Sequence, residues 1–144
     1  MSARENMISF TVYGAPFGKG RPRHTRHGRT YTPAKTAKAE NNFRAQAIPH
    51  KPPQPIPKPV GVVLHLRFVF AVPASWSKRK TAAALAGEIR HTTTPDADNL
   101  AKLVEDAMNG IFWADDSQVW ALSAVKGYGD TPRTEVKMSW GDTP

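Results

Sequence analysis

The chain has 144 residues, a formal net charge of +8 and no cysteine. This length is enough for one ordinary domain with a buried core, and the absence of cysteine excludes disulfides and thiolate zinc sites. The first residues contain no apolar signal-peptide region, and the longest apolar run is too short to cross a bilayer. We therefore expect one domain over residues 1–144, a cytoplasmic location and no membrane partner.

The charge is divided unevenly along the chain. Residues 1–95 contain 16 Lys and Arg against 3 Asp and Glu, whereas residues 96–144 contain 4 against 9. A strongly basic surface is typical of proteins that bind polyanions, and nucleic acid is the first candidate. An anionic membrane is the second candidate, but no basic amphipathic helix supports it.

The first part of the chain predicts a strand, a basic loop, a helix and a connector. Residues 7–13 are β-prone and stop at Gly14, which predicts a strand. Residues 34–48 follow Pro33 and are rich in alanine, which predicts a helix, and the proline-dense residues 49–59 predict an extended connector. Between strand and helix, a segment with glycine and proline predicts a loop or irregular hairpin, whose cations are candidate DNA contacts: Lys19, Arg21, Arg23, Arg26 and Arg29.

The second part of the chain predicts a central strand, two helices and two further strands. The stretch "VGVVLHLRFVFAV" is β-branched and apolar, as expected of a central strand, and Ser77 is placed to cap a helix that ends near Gly87. Apolar residues at helical spacing predict another helix from Asn99. "SQVWALSAVKGYG" and "RTEVKMSW" predict strands joined by "GDTP" as a hairpin. The order predicts an α+β fold, a mixed or antiparallel sheet with packed helices.

Half of the acidic residues of this basic chain fall within 21 positions. They are Asp96, Asp98, Glu105, Asp106, Asp115 and Asp116. Helix capping by one Asp, a helical ion pair between Asp98 and Lys102, and a turn at "ADDSQ" would each explain a part of this cluster. Alternatively, the carboxylates converge and bind a divalent cation that offsets their repulsion, and such hard oxygen ligands select Mg²⁺ or Mn²⁺.

A carboxylate-bound magnesium ion in a basic protein favours chemistry on phosphates. Lys102 would then neutralise developing charge or order an aspartate, because it follows Asp98 by one helical turn. The basic segment would bind the DNA backbone, which the acidic site alone would repel. A binding module whose carboxylates only cap and solubilise remains the alternative from another functional class.

The same residues resemble those of the RusA family of Holliday-junction resolvases. The family's signature has Asp-x-Asp-Asn, a lysine four residues after the second Asp, then Asp-Asp-x-Gln and a strand with a lysine. The amino-terminal "GAPFGKGRPRHTRHGRTYTP" is also similar to the family's opening. The matching positions in this chain are Asp96, Asp98, Asn99, Lys102, Asp106, Asp115, Asp116, Gln118, Val119 and Lys126.

This resemblance implies a homodimeric, magnesium-dependent endodeoxyribonuclease that resolves four-way DNA junctions by paired symmetric nicks in recombination and repair. It implies metal binding by Asp96, Asp98 and Asp116, with Mn²⁺ able to substitute, and an essential Lys102 beside these catalytic aspartates. Asp115 stays open as the third ligand. A nuclease for flaps, forks or other branched phage DNA is the alternative within the same chemistry, since specificity for DNA shape depends on dimer geometry and loops.

Overall fold

The computed structural model describes residues 5–19, 23–24, 30–31 and 34–141, with the backbone alone at residues 5, 23–24 and 30–31. No helix within these ranges is long and apolar enough to span a bilayer. The elements confirm an α+β fold, and two short 3-10 turns, Ile48–His50 and Asp116–Gln118, accompany them. The strands are β1 (Glu5–Tyr13), β2 (Arg23–His24), β3 (Thr30–Tyr31), β4 (Val62–Phe70), β5 (Val119–Tyr128) and β6 (Arg133–Gly141), and the helices are α1 (Ala34–Ala47), α2 (Lys78–Leu85) and α3 (Ala97–Met108).

The main sheet has four strands in the order β1-β6-β4-β5. Strand β6 pairs antiparallel with both β1 and β4, whereas β4 and β5 are parallel. The predicted hairpin between β5 and β6 is therefore wrong, because β4 lies between them. Strand β4 is the most apolar segment of the chain. Its central position buries its apolar side chains, and its backbone N–H and C=O groups form hydrogen bonds with a strand on each side. The basic segment does form a small hairpin, with β2 paired to β3.

The hydrophobic core lies between the sheet and the helices α1 and α3. Alternate residues of β4 are buried on the helical side, and α3 packs its apolar stripe against them. The other face of β4 places His65 and Arg67 in solvent. This arrangement follows from the two periodicities, 2.0 residues in the strand and 3.6 in the helix.

The proline-dense connector is extended, as predicted, but it also belongs to the core. Ile56 and Val60 are buried, and Ile56 forms an isolated parallel bridge with Trp113. The side-chain amide of Gln118 donates to the carbonyl oxygens of both Ile56 and Val60, each at 3.0 Å. The connector therefore fixes the turn before β5, where the second aspartate motif lies.

Candidate active site

Helix α3 is amphipathic, and its polar face carries the candidate chemistry. Its buried stripe contains Leu100, Ala101, Leu103, Val104, Ala107 and Met108. Asp98, Lys102 and Glu105 recur at spacings of four and three residues, so they share the opposite face. Acidic and basic groups therefore follow each other along one exposed edge of the helix.

The start of α3 presents two carboxylates that have no structural duty in the described part of the chain. Asp96 occupies the N-cap position, but its side chain makes no capping hydrogen bond. Asp96 and Asp98 are both exposed, and neither has a hydrogen-bond or ion-pair partner among the described residues. Within the described ranges, capping and ion pairing, the alternatives from sequence, therefore explain neither side chain.

Lys126 of β5 anchors the turn that leads into these aspartates. Its Nζ atom donates to the carbonyl oxygens of Thr93 at 2.7 Å and of Pro95 at 3.0 Å. The bond to Pro95 is partly buried, and Pro95 directly precedes Asp96. Lys126 therefore fixes the backbone on which the first aspartate motif is built, a role that the sequence motif alone did not assign.

The beginning of the basic segment packs against the same turn. The backbone N–H of Lys19 donates to the carbonyl oxygen of Asn99 at 3.0 Å. A Cβ atom added at Gly18 would lie 2.7 Å from the Cβ of Pro95, so the close approach requires glycine there. This contact brings the entry to the predicted DNA-binding loop beside the candidate catalytic aspartates.

Lys102 pairs with Asp106 rather than with Asp98. Its Nζ atom lies 3.4 Å from Asp106 Oδ1, and the Lys19 ammonium binds the other oxygen of the same carboxylate. The Lys102 side chain is still 57% exposed, so it remains accessible to a ligand. The structure places the predicted catalytic lysine on the polar edge, one helical turn from Asp98.

The predicted DNA contacts fall largely outside the described residues. Lys19 is described, and its ammonium is engaged by Asp106. Arg23 lies in β2, where the backbone alone is described, and Arg21, Arg26 and Arg29 lie outside the described residues.

The second aspartate motif lies at the other end of α3 and has defined structural partners. Asp115 Oδ2 accepts from the backbone N–H of Ser117 at 2.9 Å, and Gln118 Oε1 accepts from the backbone N–H of Asp115, which completes a capping box. The Ser117 hydroxyl also donates to Asp115 Oδ2, and this bond first, then the bond from the Ser117 backbone, lowers the pKa of Asp115. Asp116 Oδ1 instead accepts from the indole N–H of buried Trp113 at 2.8 Å.

Glu105 and Asp116 form an acidic pair at this end of the helix. Burial raises the pKa of Glu105, and the negative charge of Asp116 raises it further, whereas the Lys102 ammonium lowers it. The sequence pattern places Glu105 on the polar face but gives it no role. The pattern does not show where the turn before β5 lies, and it is this turn that carries Asp116, whose charge acts on Glu105.

The structure does not bring Asp96, Asp98 and Asp116 together as three ligands of one ion. No group of three Asp, Glu or His side chains close enough to hold a metal occurs in residues 5–19 and 34–141. The charge of Asp116 acts on Glu105, which follows Asp98 by two helical turns, or about 10 Å along the helix axis. Convergence of the two aspartate motifs requires the start of β5 to lie beside the start of α3, whereas it is the end of β5, at Lys126, that lies there.

Comparison with known proteins identifies the family. The family model of the endodeoxyribonuclease RusA matches residues 14–139. The chain belongs to the RusA family. It is 39% identical over 134 residues to the uncharacterized protein YqaN of Bacillus subtilis (strain 168). This alignment covers 91% of this chain and 94% of that protein. It is 30% identical over 104 residues to the crossover junction endodeoxyribonuclease rusA of Lactococcus phage r1t. This alignment covers 69% of this chain and 71% of that protein.

Both ends of α3 lie within the region that the RusA family model matches. The match begins at residue 14, just before the segment that packs on Pro95, and continues past Lys126. The family supports a nuclease that hydrolyses DNA. The structure adds a distinction between the aspartates at the start of α3, which have no partner among the described residues, and those beyond its end, which have hydrogen-bond partners.

Proposed function

We propose that the protein is a magnesium-dependent endodeoxyribonuclease that resolves four-way DNA junctions by paired symmetric nicks. The observation that supports this most directly is the start of α3, where Asp96 and Asp98 are exposed and have no partner among the described residues, on a turn anchored by Lys126. Two neighbouring carboxylates without a cationic partner in the described ranges have a physical reason if a divalent cation binds them.

The two carboxylates at the start of α3 fit a magnesium ion whose other ligands are water and a substrate phosphate. Mg²⁺ is usually bound through one or two carboxylates together with water and substrate phosphate oxygens. Asp96 and Asp98 supply two carboxylates, and a DNA phosphate would complete the shell in place of a third carboxylate. When bound, the ion would polarise the phosphate and lower the pKa of a water molecule.

The remaining residues of the polar edge have roles that follow from their charge and position. The exposed Lys102 ammonium would approach the phosphate and stabilise negative charge that develops on it. Asp116, held by the Trp113 indole, would act from the other end of the edge, either by orienting water or by binding a second ion. Lys19 neutralises Asp106 and so limits repulsion of the DNA from this side.

A homodimer is part of this proposal because the substrate has two-fold symmetry. Two equivalent active sites related by a dimer axis can meet two opposed strands of one junction, which gives nicks at symmetric positions. A monomer would instead cut one strand at a time. The mass of the protein bound to one junction, measured by light scattering, tests this part separately from cleavage.

The function is tested by cleavage of labelled four-way junction, flap, single strand and linear duplex, each with magnesium and with EDTA. Paired cuts in the junction that require magnesium and disappear in Asp98→Asn are the expected result. Equal cutting of flaps would transfer the proposal to branched DNA in general. Absence of metal-dependent cutting on all four substrates, or full activity of Asp98→Asn, would refute it.

A further inference from the structure

A second cluster of cations lies outside the site described above, at the start of α2. Lys78, Arg79 and Lys80 open this helix, and Arg90 follows it; all four side chains are exposed. We call these four residues the α2 basic surface. None of the four has an ion-pair partner among the residues that the structure describes. In contrast, the described cation of the amino-terminal loop, Lys19, is neutralised by Asp106.

Helix stability does not explain three cations at this position. The amino terminus of a helix carries partial positive charge, so anions are favourable in the first turn and cations are not. The first turn of α2 contains no acidic residue. Each unfavourable contact is small, about 0.3–1 kcal/mol when exposed. A polyanion bound to this surface would make the net electrostatic energy of these cations favourable.

Aromatic contacts hold both flanks of α2 against the end of β5. The Trp76 ring packs against Tyr128 with ring centroids 5.3 Å apart, and Lys80 Nζ lies 4.0 Å from the centre of the Trp76 ring. On the other flank, buried His91 stacks on Phe70 at 4.0 Å and also contacts Tyr128 at 5.2 Å. The cations therefore stand on a fixed base rather than on a free loop.

This base adjoins the turn of the candidate catalytic aspartates. Tyr128 is two residues after Lys126, which binds the carbonyl of Pro95. Tyr128 in turn contacts Trp76, two residues before Lys78, so the α2 basic surface and the turn before Asp96 are both attached to the same end of β5. This shared attachment suits contact of the surface with the same DNA arm that enters the active site.

We propose that the α2 basic surface binds the DNA backbone beside the cleavage site. This inference rests on the proposed nuclease function, and it adds a contact surface separate from the amino-terminal basic loop. Backbone contacts of this kind position the duplex and carry no base sequence information. The surface would therefore set affinity and the placement of a junction arm, while chemistry stays with the aspartates.

The first test measures junction binding in EDTA by fluorescence anisotropy over a range of salt concentrations. The variant Lys78→Gln/Arg79→Gln/Lys80→Gln is compared with Lys35→Gln/Lys38→Gln/Lys51→Gln, which removes the same charge from exposed positions elsewhere. The α2 variant is expected to bind about 10- to 100-fold more weakly, with a salt slope reduced by about 0.9 per lost contact. Equal losses in both variants, or no loss in the α2 variant, would overturn the proposal.

The second test locates the surface on the DNA. Because the chain has no cysteine, Arg79→Cys introduces a single thiol that can carry an iron-EDTA group, and Lys38→Cys serves as the matched control. Radical cuts from position 79 within about half a helical turn of the branch point of the junction, absent from position 38, are expected. Cuts at the same places from both positions, or none from position 79, would contradict it. Neither test requires nicking by the protein, so a failed cleavage assay would refute the proposed function without affecting this result.

Discussion

The two ends of α3 carry the same kind of residue but use it differently. At the carboxyl-terminal end, Asp115 caps a turn and Asp116 accepts a hydrogen bond from Trp113. At the amino-terminal end, Asp96 occupies a capping position without capping, and Asp98 has no partner among the described residues. A carboxylate that does nothing for the fold, in a position where it could, is a stronger functional indicator than acidity alone.

The comparison is tested most strongly by matched alanine variants of the two N-cap aspartates. Asp96→Ala is expected to lower the junction cleavage rate by about 100-fold or more while changing unfolding free energy by less than about 0.5 kcal/mol. Asp115→Ala is expected to lower stability more than Asp96→Ala does, with cleavage close to wild type, because it removes a capping acceptor. Denaturant unfolding and single-turnover cleavage provide both numbers. Loss of cleavage in folded Asp115→Ala would remove the division between the ends.

Lys126 provides the next largest effect, because it links the end of β5 to the turn before Asp96. Lys126→Met leaves the carbonyls of Thr93 and Pro95 without their donor, so the aspartates lose their fixed placement. We expect cleavage to fall about 10- to 100-fold, as for residues that orient metal ligands, with junction affinity in EDTA unchanged. Lys137→Met, an exposed lysine of β6, is the control. An equal fall in both variants would show that general charge, rather than positioning, is responsible.

A stability effect is expected at the carboxyl-terminal end of α3. Gln118 is buried, and Gln118→Leu leaves the carbonyl of Val60 without its donor, which costs about 1–3 kcal/mol, whereas the carbonyl of Ile56 still accepts from the backbone N–H of Ala114. Gln46 makes a similar pair of bonds to the backbone of Tyr13 but is partly exposed, so water can replace it in Gln46→Leu. Thermal unfolding of the two variants measures the difference. Equal losses would mean that burial of the connector does not stabilise the turn.

The sequence was sufficient for the main helices and strands, but not for their arrangement. The periodicity of α3 and the β-prone run of β4 are local signals, so both were predicted. Pairing of β4 with β5 in parallel joins residues far apart in sequence, and no local pattern encodes it. This pairing decides which end of β5 meets Asp96, so the predicted convergence with Asp116 depended on information outside the two motifs. Likewise, only the side-chain contacts show that Lys102 pairs with Asp106 instead of Asp98.

The smallest expected effect concerns the pH dependence of the acidic pair at the end of α3. The folded chain raises the pKa of Glu105, first by burial and then through Asp116, so its carboxylate is less favourable in the folded state than in the unfolded state. Stability from this group is therefore present at low pH and is lost as pH rises through the raised pKa. Glu105→Gln should therefore gain stability over wild type at neutral pH. This gain should be smaller in buffer below pH 4.5, which is the ordinary pKa of this carboxyl. The difference should shrink in an Asp116→Asn background, and the opposite sign in thermal unfolding would show that Glu105 is stabilised as a carboxylate.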